Sequence, residues 1–217
     1  MSKRSYNQYC AIARALDVIG HRWTLLLIRE LMTGPKRFSD LMDHLSGIGT
    51  NLLSSRLKEL EDQELAVQRK LPPPAASVVY ELTERGLELE STILALAEWG
   101  RPLLGIPSEK DNLSSGWLML AMKKSFRPEE AKGLEECYEF RIDRDVFQVR
   151  VTDGKIEVEQ GVRYTPDMQL TSPSTTLMSI VAGELPAKEA LQKGLIQVEG
   201  NIDALYRTFA LFGVPVG

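Results

Sequence analysis

The chain has 217 residues, 43% hydrophobic and 26% charged, with a formal net charge of −4. That is the composition of an ordinary globular protein with material for one large domain or two small ones. No apolar run approaches the roughly 18 residues of a membrane span, the polar opening MSKRSYNQYC has no apolar stretch behind it as a secretory signal would, and two distant cysteines, Cys10 and Cys137, make neither a disulfide framework nor a zinc site. A reducing cytoplasm fits, with no membrane as partner.

The charge is unevenly spread. Residues 1–58 carry nine basic groups against four acids, whereas acids outnumber bases from about residue 106 onward. The basic end can face phosphate and the acidic end would repel it.

In chain order, Ala11 to Val18 predicts a helix stopped near Gly20. Trp23 to Met32 predicts a second, with Trp23, Leu26, Leu27 and Leu31 on one face and Gly34-Pro35 ending it. Arg37 to Leu45 places Phe38, Leu41, Met42 and Leu45 at helical spacing. The turn Ser46-Gly47-Ile48-Gly49 follows, then a helix capped by Gly49 or Thr50 with Leu53, Leu57 and Leu60 as its core stripe. Two helices joined by a tight glycine-containing turn make a helix-turn-helix. Strands Ala66 to Lys70 and Val78 to Leu82 flank the turn LPPPAAS, whose prolines cannot pair, and form a wing. Thr83 and Glu84 open a long helix running to about Leu104. Its apolar residues, among them Leu87, Ile93, Leu96 and Trp99, exceed the single stripe a surface helix needs, which points to a second buried face, a dimer contact.

An α-helix fits the major groove of duplex DNA and meets base edges near its N-terminus. The helix from Thr50 to Asp62 leaves Thr50, Asn51, Ser54, Ser55 and Lys58 free. Arg56 sits at the shoulder, while Lys36, Arg37, Arg69 and Lys70 suit phosphate contacts. The acids Glu59, Glu61, Asp62 and Glu64 are expected at the far end, away from the groove. The bland reading of such a face is a solvated helix in a packing module.

The segment from ALDVIGHRWTLLLIREL through SSRLKELEDQELAVQRK, then VVYELTERGLELESTILALAEWG, resembles the HxlR family of bacterial transcription regulators over about Cys10 to Gly100. The resemblance implies a homodimer built on the first and last helices, and DNA contact at Arg37, Thr50, Asn51, Ser54, Arg56 and Lys58, with the wing near Lys70 to Ser77. Gly49 stands where the family often has Ser or Thr, and Ser77-Val78 where its wing commonly carries a basic residue. A cysteine at the place of Cys10 serves some members as a redox or electrophile sensor; the competing reading is a small hydrophobe in the dimer interface. Arg14, one turn on, is positioned by sequence to act on it.

GIPSEKDNLSSG reads as a linker, so the expected domains are 1–105 and 112–217. A helix from Leu113 to Phe126 opens the second. Alternation at Tyr138, Phe140, Ile142, then Phe147, Val149, Val151, then Ile156, Val158 predicts an antiparallel meander, with Met168 to Thr171 and Leu195 to Val198 as further strands. Helices follow at Ser174 to Ala182, capped by Ser172 or Ser174, at Ala187 to Lys193, and at Ile202 to Phe212, capped by Asn201. The fold class is thus two domains: a mainly α winged helix-turn-helix, then an α+β domain with an antiparallel sheet covered by helices. DGKIEV, GELPAKEAL and IQVEGN are similar to the sterol-carrier-protein-2-like fold, which implies an apolar cavity for a lipid-like molecule. Trp117, Met122, Phe126, Phe140, Phe147, Leu177, Val181 and Phe209 are the candidate lining; each is also a plain core residue.

No catalytic motif is present, no cofactor or metal is called for, and His21 and His44 are the only histidines. The expected function is a homodimeric DNA-binding regulator whose affinity answers to an apolar effector. The alternative is a lipid carrier that uses its winged helix only to dimerise.

Overall fold

The computed structural model describes residues 5–72, 76–104 and 115–214, and the chain divides into two compact units, residues 1–112 and 113–217. The expected linker, the prolines at the tip of the wing, and Lys3 and Arg4 fall mainly or wholly outside the described residues.

In the first unit, α1 (Ala11–Ile19) stops at Gly20, where a Cβ would lie 2.4 Å from the Leu16 carbonyl oxygen. α2 (Thr24–Leu31) starts one residue later than expected, from Trp23 in a left-handed conformation at φ 79°. Its buried face is Leu27, Ile28 and Leu31, so Leu26 points to solvent and the expected stripe is rotated. α3 (Phe38–His44) and α4 (Thr50–Asp62) bury Leu41, Leu45, Leu53, Leu57 and Leu60 together beneath the helix-turn-helix. Gly49 caps α4 with no side chain to help.

Strands β1 (Ala66–Lys70) and β2 (Val78–Leu82) pair antiparallel, with Ala66 opposite Leu82 and Lys70 opposite Val78. Lys36 adds a rung on the other edge of β2: its N–H donates to Tyr80 O at 3.0 Å and its carbonyl accepts from Tyr80 N at 2.8 Å.

The expected long helix is broken. α5 (Glu84–Leu87) and α6 (Glu90–Gly100) are separate, and a 3-10 turn, Arg101–Leu103, ends the run. Leu89 N–H reaches back only to Gly86 O, at 3.2 Å, so the hydrogen-bond ladder tightens between the two helices. Gly86 is pressed against Leu65, whose carbonyl oxygen would lie 2.1 Å from an added Cβ. Thr83 caps α5, accepting from Gly86 N at 3.1 Å and donating to Glu64 O at 2.6 Å.

The second unit opens with α7 (Ser115–Ser125) and holds a five-stranded sheet: β3 (Glu135–Ile142), β4 (Asp145–Thr152), β5 (Lys155–Gln160), β6 (Met168–Ser172) and β7 (Gln197–Gly200). The order is β5-β4-β3-β6-β7. The expected antiparallel sheet carries one parallel pair, β3 with β6, so it is mixed. Strand β7 lies two residues beyond its expected start. α8 (Ser174–Val181), α9 (Ala187–Gln192) and α10 (Ile202–Leu211) complete the unit, and Leu177, Ile180, Leu205 and Phe209 join Tyr138, Phe140, Phe147, Val149 and Leu170 in one core. Asn201 caps α10 as expected, accepting from Asp203 N at 3.0 Å. Neither Ser172 nor Ser174 caps α8. The Ser172 hydroxyl is spent on Pro173 O, and the Ser174 N–H donates to Asp143 Oδ1 at 3.1 Å, an acid supplied by the β3–β4 turn.

Candidate nucleic-acid interface

α4 stands on Leu53, Leu57 and Leu60, and its outer side carries Thr50, Asn51, Ser54, Ser55 and Lys58, all exposed. Arg37, the residue preceding α3, is exposed, its backbone N–H donating to Asp40 Oδ2 at 3.0 Å. Lys70, at the end of β1, is exposed too. These side chains offer amide, hydroxyl and cationic groups of the kinds that contact base edges and phosphate.

Three basic residues behave differently from expectation. Lys36 is 1% exposed and turns inward, its Nζ donating to Thr33 Oγ1 at 2.7 Å; the backbone pairing with Tyr80 draws it under the wing, so it is a structural residue. Arg69 is occupied by Glu81 at 2.7 Å. Arg56 is half-buried and contacts Glu59. Glu59, toward the far end of α4 as expected, also reaches back one turn, where the Ser55 hydroxyl donates to its Oε1 at 3.3 Å. Glu59 lies one turn on from Ser55, so the two share a face.

The helix pair rests on a buried acid that pattern reading missed. Glu30 is 1% exposed and accepts from Arg29 Nε at 3.0 Å, while His44 Nδ1 lies 3.2 Å from its other oxygen. Burial pushes the Glu30 carboxyl up, but the hydrogen bond from His44 and the Arg29 charge outweigh it and hold the group below the usual carboxylate value. The contact ties α2 to the last turn of α3. The available signal was an acid between Ile28 and Leu31, on the apolar side of α2. Trp23 packs beside the turn, its ring 3.7 Å from where a Gly47 Cβ would be, and Arg22 lies 5.4 Å above its centroid.

Cys10 is exposed at the start of α1. Arg14 turns from it toward Ser5 Oγ, 3.4 Å, and Asp17, 3.5 Å. Asp17 also accepts from Tyr6 N at 2.9 Å and Ser5 Oγ at 2.8 Å; the backbone bond first, then the hydroxyl, holds its carboxyl below the usual range. His21 joins Ser5, Tyr6, Leu16, Asp17 and Gly20 around an open recess of about 260 Å³.

In the second unit, Met122, Phe140, Phe147, Leu177 and Phe209 are buried in the common core, with Phe126 and Val181 packed against it. Trp117 is half-buried outside that cluster. Tyr138 is buried with its hydroxyl on Glu136 Oε2 at 2.6 Å; burial and that carboxylate push the phenol up, and Arg207 closes on the same Glu136.

The comparisons with known proteins fall on the same two units. Residues 18–105 match the HxlR-like helix-turn-helix family and residues 118–212 match the SCP-2 sterol transfer family. The chain is similar to the HTH-type transcriptional regulator YodB of Bacillus subtilis, 38% identical over 85 residues, covering 39% of this chain and 76% of that protein. A Synechocystis HTH-type transcriptional regulator is 32% identical over 107 residues, covering 49% of this chain and 79% of its own length. The solved structure of reduced YodB is 32% identical with a TM-score of 0.40, covering 46% of this chain and 100% of that chain.

Proposed function

The chain belongs to the HxlR-like helix-turn-helix family of transcription regulators, and from that premise we propose that it binds double-stranded DNA as a homodimer and answers to an apolar effector in its second unit. The carrying observation is the outer face of α4, where Asn51, Ser54 and Lys58 stand free on a helix anchored by buried leucines. Arg37, Thr50 and Lys70 extend that face toward phosphate.

Dimerisation is supported by apolar side chains left in solvent on both end helices of the unit: Ile12 on α1, Leu96 and Trp99 on α6, and Leu103 and Leu104 just beyond. The match to a sterol transfer family over residues 118–212 supports a lipid-like effector. Cys10, exposed beside the same helix, is the residue a thiol-reactive signal would meet. The names of the relatives favour the regulator over the lipid-carrier reading.

Duplex binding across a salt series tests the reading. About six phosphate contacts give a log–log slope near −5, and a flat response overturns it. Ligand extracted from the purified protein and identified by mass spectrometry tests the effector. By linkage, that ligand and DNA must change each other's affinity by the same factor.

A further inference from the structure

We propose that Glu59 sets how strongly the recognition helix engages DNA, by withholding the Arg56 guanidinium and the Ser55 hydroxyl from the duplex. The inference rests on the DNA-binding reading of α4. One Glu59 oxygen accepts from Ser55 Oγ at 3.3 Å and the other is in contact with Arg56 Nη1. The Arg56 side chain is 16% exposed, although Ser54, Ser55 and Lys58 around it stand in solvent. Its Nε is buried and meets no acceptor.

An ordinary exposed pair at this spacing is weak and opens freely. A guanidinium lodged against the protein has given up part of its hydration, so its contact with the Glu59 carboxylate counts for more than an exposed pair, while the unsatisfied Nε–H is a cost of that placement. In the free protein the Arg56 charge is therefore already neutralised, and Lys58 is the cation α4 presents to phosphate. Non-specific binding is carried by cation–phosphate contacts and the counterions they release. An acid that holds back one cation therefore lowers binding to every sequence alike and leaves discrimination among bases to Asn51.

The test uses the full chain and a short random-sequence duplex, with affinity measured over a salt series and thermal melts as a check on folding. Glu59→Gln keeps the shape and removes the charge. It is expected to tighten binding and steepen the log–log slope by about 0.9, and adding Arg56→Gln is expected to restore the wild-type slope. Arg56→Gln alone should leave the wild-type slope unchanged. An unchanged slope in a folded Glu59→Gln variant overturns the proposal, as does a steepening that survives Arg56→Gln. A loss of about 0.9 in Arg56→Gln alone overturns it too, since Arg56 would then already be touching phosphate. A flat wild-type response overturns the DNA reading and this inference with it, whereas a salt-dependent wild type with any of the preceding outcomes overturns this inference alone.

Discussion

Glu30 on α2 and His44 on α3 meet inside the helix-turn-helix, Nδ1 to Oε2 at 3.2 Å, with the carboxylate shielded from water. Glu30→Ala leaves His44 and Arg29 without their anion and is expected to cost about 2–3 kcal/mol, read as a shift in the urea midpoint, the buried-pair penalty being reduced for partners in partial contact with solvent. The folded carboxyl titrates below its ordinary value of 4.5. Its contribution is therefore complete above that pH and is lost as pH falls through the folded value. The melting-temperature gap between wild type and Glu30→Gln should narrow in acid; a gap that widens below pH 4.5 would contradict the sign.

Lys58→Ala and Asn51→Ala should separate affinity from reading. Lys58→Ala is expected to weaken all duplexes alike and to flatten the salt slope by about 0.9. Asn51→Ala should cost about 1–3 kcal/mol at one base pair of a selected operator and little on random sequence. Both side chains are exposed, so melting temperatures should stay at the wild-type value.

Replacing Trp99, 71% exposed, or Leu103, 73% exposed, by Asp places a charge where the homodimer contact is expected. Sedimentation should show monomer at concentrations where wild type is dimeric, with operator affinity down by tenfold or more because two linked half-sites become one. Dimer of unchanged stability in both variants would move the interface elsewhere.

The Asp143 side chain, not Ser172 or Ser174, satisfies the first amide of α8. Asp143→Ala is expected to lower stability by about 1 kcal/mol, the usual value of a lost helix cap, and Ser174→Ala by much less. Chemical denaturation of the two variants in parallel decides between them.

Helix α4 and the wing were legible because Leu53, Leu57 and Leu60 repeat at helical spacing and because Val78 to Leu82 is a β-rich run after a proline turn. The strands of the second unit were legible through the alternation around Phe140 and Val149. What escaped depends on partners distant in sequence. The parallel pairing of β3 with β6 leaves no periodic trace, since alternation reports a face and not a neighbour. Lys36 reads as a surface cation until Tyr80 claims its backbone, and Leu26 reads as core although α2 buries Leu27, Ile28 and Leu31 instead. The break between Leu87 and Glu90 shows only in the backbone, where the Leu89 N–H bonds to Gly86 O, and the apolar pattern runs straight across it. On the DNA face, residue types were readable, but the tether from Glu59 to Ser55 and Arg56 required side-chain geometry.

The two-way backbone pairing of Lys36 with Tyr80 splices the loop ahead of α3 into the wing hairpin. A hinge at the base of the hairpin would have to break both bonds, which couples the hairpin to the helix pair. A signal that turns transcription on or off then has little to gain by reshaping that reading head. In the proposed homodimer such a signal would act by changing the distance and tilt between two heads, so that operators differing only in half-site spacing should separate the active state from the inactive one, while changes within a half-site should affect both states equally.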